Sequence, residues 1–309
     1  EEGKKAVKLI DFEADVFGVF ILIVARDFGN ILGLKYTLRA VVRVLFAILA
    51  WGVNIWLQFA MLWCVQNYII AHDIYEAQSL YRQYHAEVFE SDGRFNLSKW
   101  KGWTGPSFDL CNLPVSRAHF CTTILFIWIA TMLDELWDIL RLHRLVWQVE
   151  SLGGQGYENM ISRELDDGGE VIYHLMFLSK LTRSLIYAAV IIPRLVVFIW
   201  LTFLGCNWLC ATDSIADLIL NSLALSFITQ LDEVVYISFA PQQIKDQLKS
   251  AKFAYVEGQD EDLKAVRAYS FGMLVMGLCF YSSYRFLHDF QKVIPNFHHD
   301  ISMHCDEKY

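Results

Sequence analysis

Two stretches of the chain carry the same acidic signature. Thr131-Met132-Leu133-Asp134-Glu135-Leu136 recurs 98 positions later as Thr229-Gln230-Leu231-Asp232-Glu233-Val234. Both copies lie toward the end of a long apolar run. Adjacent carboxylates at membrane depth are costly to desolvate, so they call for a partner or a purpose. Their chemistry is cation chemistry: carboxylates facing a watery path attract cations, as acidic rings do in channels.

Further polar groups share their spacing. Ser222, Ser226, Thr229, Glu233 and Tyr236 follow the i, i+4, i+7, i+11, i+14 positions of one helical stripe, with Asp217, Asn221 and Asp232 on an adjoining line. Thr131, Glu135 and Asp138 form a shorter stripe, and Asn54 and Gln58 stand one turn apart in an earlier apolar run. Arg194 follows Pro193, which should kink its helix and free nearby carbonyls. Helical rise puts Arg194 within a turn or two of Asp232 in depth, so it is expected to neutralise Asp232 or Asp134. One arginine does not neutralise Asp134, Glu135, Asp138, Asp232 and Glu233 together. Two readings follow: an acidic cation path, or polar contacts that hold the helices together.

The seven cysteines fall outside the expected inner loops. Cys111 and Cys121 flank the entry to one apolar run, and Cys206 and Cys210 lie at the turn between two others. On an oxidising side, a Cys111–Cys121 bridge or a pair linking the two turns is expected; reduced, apolar thiols are the alternative. The tail gathers His298, His299, His304 and Cys305, with His288 and Asp289 upstream, which are ligand types for zinc or copper; an ordinary polar tail is the competing reading.

These residues sit on membrane-type elements. Of 309 residues, 55% are hydrophobic and only 19% charged, with mean hydropathy +0.33, and several stretches of about 20 residues are nearly free of charge. The expected fold is all-α, a polytopic membrane protein with four to five transmembrane helices and an N-terminal interfacial amphipathic helix. The spans are placed at Val41–Ile70, Ala118–Leu140, Leu185–Leu209, Ile215–Phe239 and Ala268–Phe286. Basic residues flank the starts of the first, third and fifth and the ends of the second and fourth, so the N-terminus is read as inside. The fifth, with Tyr281, Ser282, Ser283, Tyr284 and Arg285, has an interfacial alternative.

Ala14–Val24 is too short to cross and is expected to lie in the membrane surface as an anchor. Organisation follows: 1–34 interfacial, 35–150 a first hairpin with an outer loop, 151–240 a second hairpin with an inner loop, and 241–309 an amphipathic segment, the fifth span and a tail. In the outer loop, Trp100 and Trp103 suit the headgroup level. The inner loop Ser151–Gly169 is Gly-rich but lacks the Lys-Ser/Thr and preceding strand of a phosphate loop. Gln242–Asp262 reads as an amphipathic helix and an acidic turn without calcium-loop ligand spacing.

Several classes drop out. The net charge of −8 and the lack of a basic stripe argue against nucleic acid. No G-x-S-x-G elbow, H-E-x-x-H helix or nucleophile–base set suggests an enzyme. The stretch from Asn221 to Glu233, NSLALSFITQLDE, resembles multi-pass membrane proteins of protists, particularly dinoflagellate algae, a resemblance that implies membrane location and no particular activity. The arrangement of an N-terminal helix, two hairpins and cysteines in both outer turns is similar to four-pass large-pore channels.

The resulting expectation is a multi-pass subunit of a membrane complex, channel- or transport-like, with acidic residues on a cation path. Its partners would be membrane lipids and other membrane subunits or copies of itself. The alternative is an accessory subunit of a photosynthetic or respiratory complex, supporting pigment or lipid. For that reading His72, His119, His143, His174 and His288 near the span ends, with Asn54 and Gln58 within, are the available ligands.

Overall fold

Long helices dominate the computed structural model, which describes residues 7–28, 31, 37–103, 105–153, 156–165, 171–212, 215–256, 261–291, 293–294, 301 and 304–305. Leu38–Val88 is one continuous helical stretch of 51 residues, and Lys180–Ala211 another of 32. Each is long and apolar enough to cross a membrane. A third candidate is the pair Asp217–Thr229 and Leu231–Phe239, bent by 55° at Gln230. Two or three candidate spans among the described residues are fewer than the four to five expected. The helix Ala118–Gln148 is long enough, but Asp134, Glu135 and Asp138 interrupt its apolar run. Glu261–Arg285 is diluted by Gly, Ser and Tyr.

The candidate spans turn apolar side chains outward. On Leu38–Cys64 the buried positions are Ala40, Val44, Ala47, Asn54, Gln58 and Leu62, while Val42, Leu45, Leu49, Val53 and Trp56 are exposed. Ile192, Val196, Ile199 and Phe203 are exposed in the same way on Ile192–Ala211. Aliphatic faces of this extent suit lipid, not water.

Contacts divide the chain into two compact units. The first comprises Glu1–Phe59, Glu135–Val197 and Thr229–Leu263. It contains a feature the all-α expectation missed, a four-stranded sheet. β1 (Val7–Asp11), β3 (Ile161–Leu165), β4 (Val171–Leu175) and β6 (Ala251–Val256) are ordered β1-β6-β4-β3. β1 runs antiparallel to β6, pairing Leu9 with Ala254, and β6 runs parallel to β4, pairing Phe253 with Leu175. β3 and β4 form an antiparallel pair. A further short parallel pair joins β2 (Glu150–Ser151) to β5 (Phe177–Leu178). The region read as an inner loop thus supplies β3 and the end of β2.

Helix α1 (Val16–Ile23) is buried at every position. Its sequence VFGVFILI has no polar face, and it packs against Leu231–Phe239 and Gln242–Lys249, with Phe12 stacked on Phe253 at 4.0 Å just before it. An octet that is apolar all round belongs in a core, which overturns the interfacial amphipathic placement. Gly18 is required here. A Cβ on it would collide with the carbonyl oxygen of Glu13, in the turn where Asp15 caps the helix by accepting from the Gly18 N–H at 2.6 Å.

The second unit comprises Ala60–Asp134, Phe198–Ile228 and Lys264–Tyr309. The segment expected as an outer loop closes on an aromatic cluster. Tyr84, which is 0% exposed, meets Trp100, Trp103 and Phe89 edge-on or tilted at 5.3–5.9 Å. Trp100 and Trp103 are therefore buried, not at a headgroup surface.

In the same unit Trp128 and Gly205 bring two helices together. The indole N–H of Trp128 donates to the Thr202 carbonyl at 3.3 Å, and a Cβ on Gly205 would stand 2.5 Å from the ring. Gly205→Val is expected to cost about 2–3 kcal/mol, the scale of overpacking a tight core. Chemical unfolding in detergent checks this, and trimming the ring with Trp128→Leu should return part of the loss. An unaltered unfolding midpoint for Gly205→Val would show that the helices do not approach there.

Candidate functional site

Pro193 starts the site. It has no N–H to give the carbonyl four residues back, that of Ala189. The backbone there winds as a π-helical turn, Tyr187–Ile191, and the Ala189 carbonyl accepts instead from the Trp51 indole N–H at 2.6 Å. Trp51 in turn lies against Phe20 of α1, with ring centroids 5.8 Å apart. A proline in one helix is thus answered by a tryptophan in another.

Arg194 follows on the buried side, its side chain 6% exposed. Its Nη1 donates to Glu13 Oε2 at 2.6 Å, and Asp15 Oδ2 stands 3.7 Å from the same nitrogen. Its Nη2 donates to Glu135 Oε1 at 3.0 Å. The guanidinium lies over the Phe17 ring, 5.3 Å from the centroid. Asp232, 5% exposed, completes the group within electrostatic range of Arg194 and Glu135. Four carboxylates surround one guanidinium, a formal surplus of three negative charges. Asp15 and Asp232 are buried, whereas the side chains of Glu13 and Glu135 keep 32% and 27% of their exposure.

Burial, foremost, raises the Asp15 carboxyl well above the ordinary carboxylate range. Arg194 opposes that shift, while Asp232 and Glu13 reinforce it. Beside Glu13 a cavity of about 40 Å³ is lined by Asp11, Phe12, Phe17, Arg141 and Phe253, volume enough for water. The arrangement can hold a proton or attract a cation, because its acids outnumber its base.

Of the residues singled out from sequence, Glu135, Arg194 and Asp232 come together here. Arg194 meets Glu135, not the expected Asp134, which points outward and is exposed, and its direct partners otherwise come from the N-terminal segment. Asp138 pairs with Arg141 at 3.3 Å, partly in solvent. The line from Ser222 to Tyr236 is not one stripe. The helix bends by 55° at Gln230, and beyond it Asp232 is buried and Glu233 exposed. Ser222 and Ser226 belong to the other unit, where their hydroxyls donate to the carbonyls of Ile219 and Leu223. Thr131 likewise donates back to Ile127, and Thr229 is half-buried.

The two copies of the repeat are therefore built differently. Asp134-Glu135 lies mid-helix, whereas Asp232-Glu233 opens the helix Leu231–Phe239, where negative charge suits the N-terminal N–H groups. Glu13 and Asp15 immediately precede α1, where negative charge suits a helix start. The N-cap spacing Asp15-x-x-Gly18 was the available signal that one of them is fixed in place.

The cysteine expectation is corrected. Cys111 bonds Cys305, with Cα atoms 5.7 Å apart, not Cys121. Cys121 instead turns toward Cys210, where the two reduced sulfurs stand 3.6 Å apart, and Cys206 is buried and free. The turn Pro114–Ser116 separates the helix bearing Cys111 from the one bearing Cys121 and sends them to different neighbours.

The described tail residues are engaged in other contacts. Cys305 is in the disulfide, and the His304 ring stacks on Phe95 at 3.5 Å while its Nδ1 contacts the Tyr84 hydroxyl at 2.7 Å. Asp289 pairs with Arg285 at 2.7 Å, and His288 packs on Tyr284. His298 and His299 lie outside the described residues. Among the described residues, no group of three or more His, Cys, Asp and Glu side chains is placed to hold a metal ion. Comparison with known proteins finds no matching family model, curated protein or solved structure.

Proposed function

We propose that the chain is a multi-pass integral membrane protein that carries cations or protons, with the cluster around Arg194 on the path. The observation that carries this reading is the imbalance of that cluster. A purely structural ion pair needs one acid per base, whereas here three carboxylates lie within 4 Å of one guanidinium and a fourth within electrostatic range, and two of the four are buried. Burying surplus acid opposes folding, so its presence points to a cationic species that visits it. The exposed aliphatic faces of the candidate spans support lipids, and copies of itself or other membrane subunits, as the surrounding partners.

Purified protein in liposomes tests the proposal. Wild-type vesicles should pass protons or monovalent cations, and Glu135→Gln with Asp232→Asn should cut that flux severalfold while the protein still inserts. Wild-type vesicles that pass neither would overturn the reading.

One observation favours a structural role instead. Arg194 ties the N-terminal segment, through Glu13, to the helix carrying Glu135, as a clasp would. In an accessory subunit the same substitutions would weaken assembly with its complex, and the isolated protein would be electrically silent.

A further inference from the structure

Midway along the buried face of Leu38–Cys64 stand two amides among small and aliphatic side chains. Asn54 is 0% exposed and Gln58 4%. Neither amide atom of Asn54, nor the carbonyl oxygen of Gln58, has a hydrogen-bond partner among the described residues. Buried polar atoms left unpaired are destabilising, and leucine at both positions would continue the apolar face without that cost. Spacing of i, i+4 puts both carbonyls on one side of the helix, about 6 Å apart along its axis.

A contact within the first unit gives the level of this pair. Trp51 meets the Ala189 carbonyl, and the basic flanks read from sequence run both candidate spans in the same direction. At about 1.5 Å rise per residue, Asn54 and Gln58 lie about 4.5 and 10.5 Å beyond Trp51, and Arg194 about 7.5 Å beyond Ala189. The amides therefore bracket the level of the acidic cluster, within the same unit.

A ligand for this place is small, is satisfied by neutral carbonyl oxygens and is drawn by negative charge. Divalent ions demand carboxylates in their first coordination sphere, whereas alkali ions accept neutral carbonyls in place of hydration. We infer that Asn54 and Gln58 form a binding site for a partly dehydrated monovalent alkali cation, with the Asn54 amide N–H groups free to hold a water that the ion retains. This inference rests on the cation-path reading and names its ion class.

Thermal unfolding of the full chain in detergent tests it, in sodium, potassium or choline chloride at one ionic strength. Wild type should melt about 2–4 °C higher in sodium or potassium than in choline, by preferential binding to the folded state. Asn54→Leu with Gln58→Met should melt as high as wild type or higher in choline and lose the alkali-dependent rise. Should the double variant fail to fold, Gln58→Met alone, which conserves volume, should show a reduced rise. A wild-type protein indifferent to the cation, or a variant that keeps the full rise, overturns the site. Flux without the rise would remove this site and leave the path; the rise without flux would remove the path and leave the site.

Discussion

Arg194→Leu should lower the stability of the protein in detergent by about 3–5 kcal/mol, the scale set by removing one partner from a buried ion pair. The guanidinium holds Glu13 and Glu135 directly and lies within 3.7 Å of Asp15, so its loss strands three acids on two segments at once. Glu13 and Glu135 reach some solvent, which places the effect toward the lower end of that range. Arg194→Lys keeps the charge but not the planar fork that serves two carboxylates, so it should fall between. Combining Arg194→Leu with Glu135→Gln should return part of the loss, and a double-mutant cycle without coupling would exclude the pair.

The same variant has a signature in pH. Burial holds the Asp15 carboxyl above its ordinary range, so folding favours its protonated form. That contribution is full below the unfolded-state value and is lost as pH rises through the folded-state value. Arg194 exerts the strongest opposing pull, so removing it moves the window to higher pH. Arg194→Leu should therefore regain stability on acidification more steeply than wild type. Parallel stability–pH curves would show that Asp15 does not sense the arginine.

What the sequence displayed, and what it hid, follows from range. Local rules located the long helices, and the rule that proline frees backbone carbonyls marked the neighbourhood of Pro193 without naming which carbonyl or its partner. Depth counting brought Arg194 to the level of Asp232 but named Asp134 where Glu135 is the direct partner, because depth does not say which of two adjacent residues turns inward. The break at Gln230 has no Pro or Gly to announce it, and beyond it Asp232 is buried while Glu233 is exposed. The sheet was hidden because β1 pairs with a strand more than 240 residues away, and nothing local in either strand names its partner. Glu13 and Asp15 were missed for a related reason. Val16–Ile23 is too short to span, so its burial depends on helices and strands brought over it from elsewhere in the chain.

Replacing Cys111 and Cys305 by Ala should free the C-terminal end of the second unit. The bond joins residues 194 positions apart, and a soluble chain closed over so long a loop would lose more than 4 kcal/mol without it. Here the intervening chain includes candidate membrane helices, which already restrict the unfolded ensemble, so about 1–3 kcal/mol is expected. The bond also holds His304 in its stack on Phe95 and its contact with Tyr84, so the aromatic cluster should loosen with it. Reductant should lower the melting temperature of wild type and leave that of the double variant unchanged. Alkylation of the native protein without reductant supplies the chemical check. Cys111 and Cys305 should resist labelling until reduced, whereas Cys121, Cys206 and Cys210 should label on unfolding alone. Labelling of Cys111 and Cys305 in unreduced, unfolded protein would disprove the bond. Since such bonds persist on oxidising sides of membranes, protection in cells would also place this end of the chain away from the cytosol.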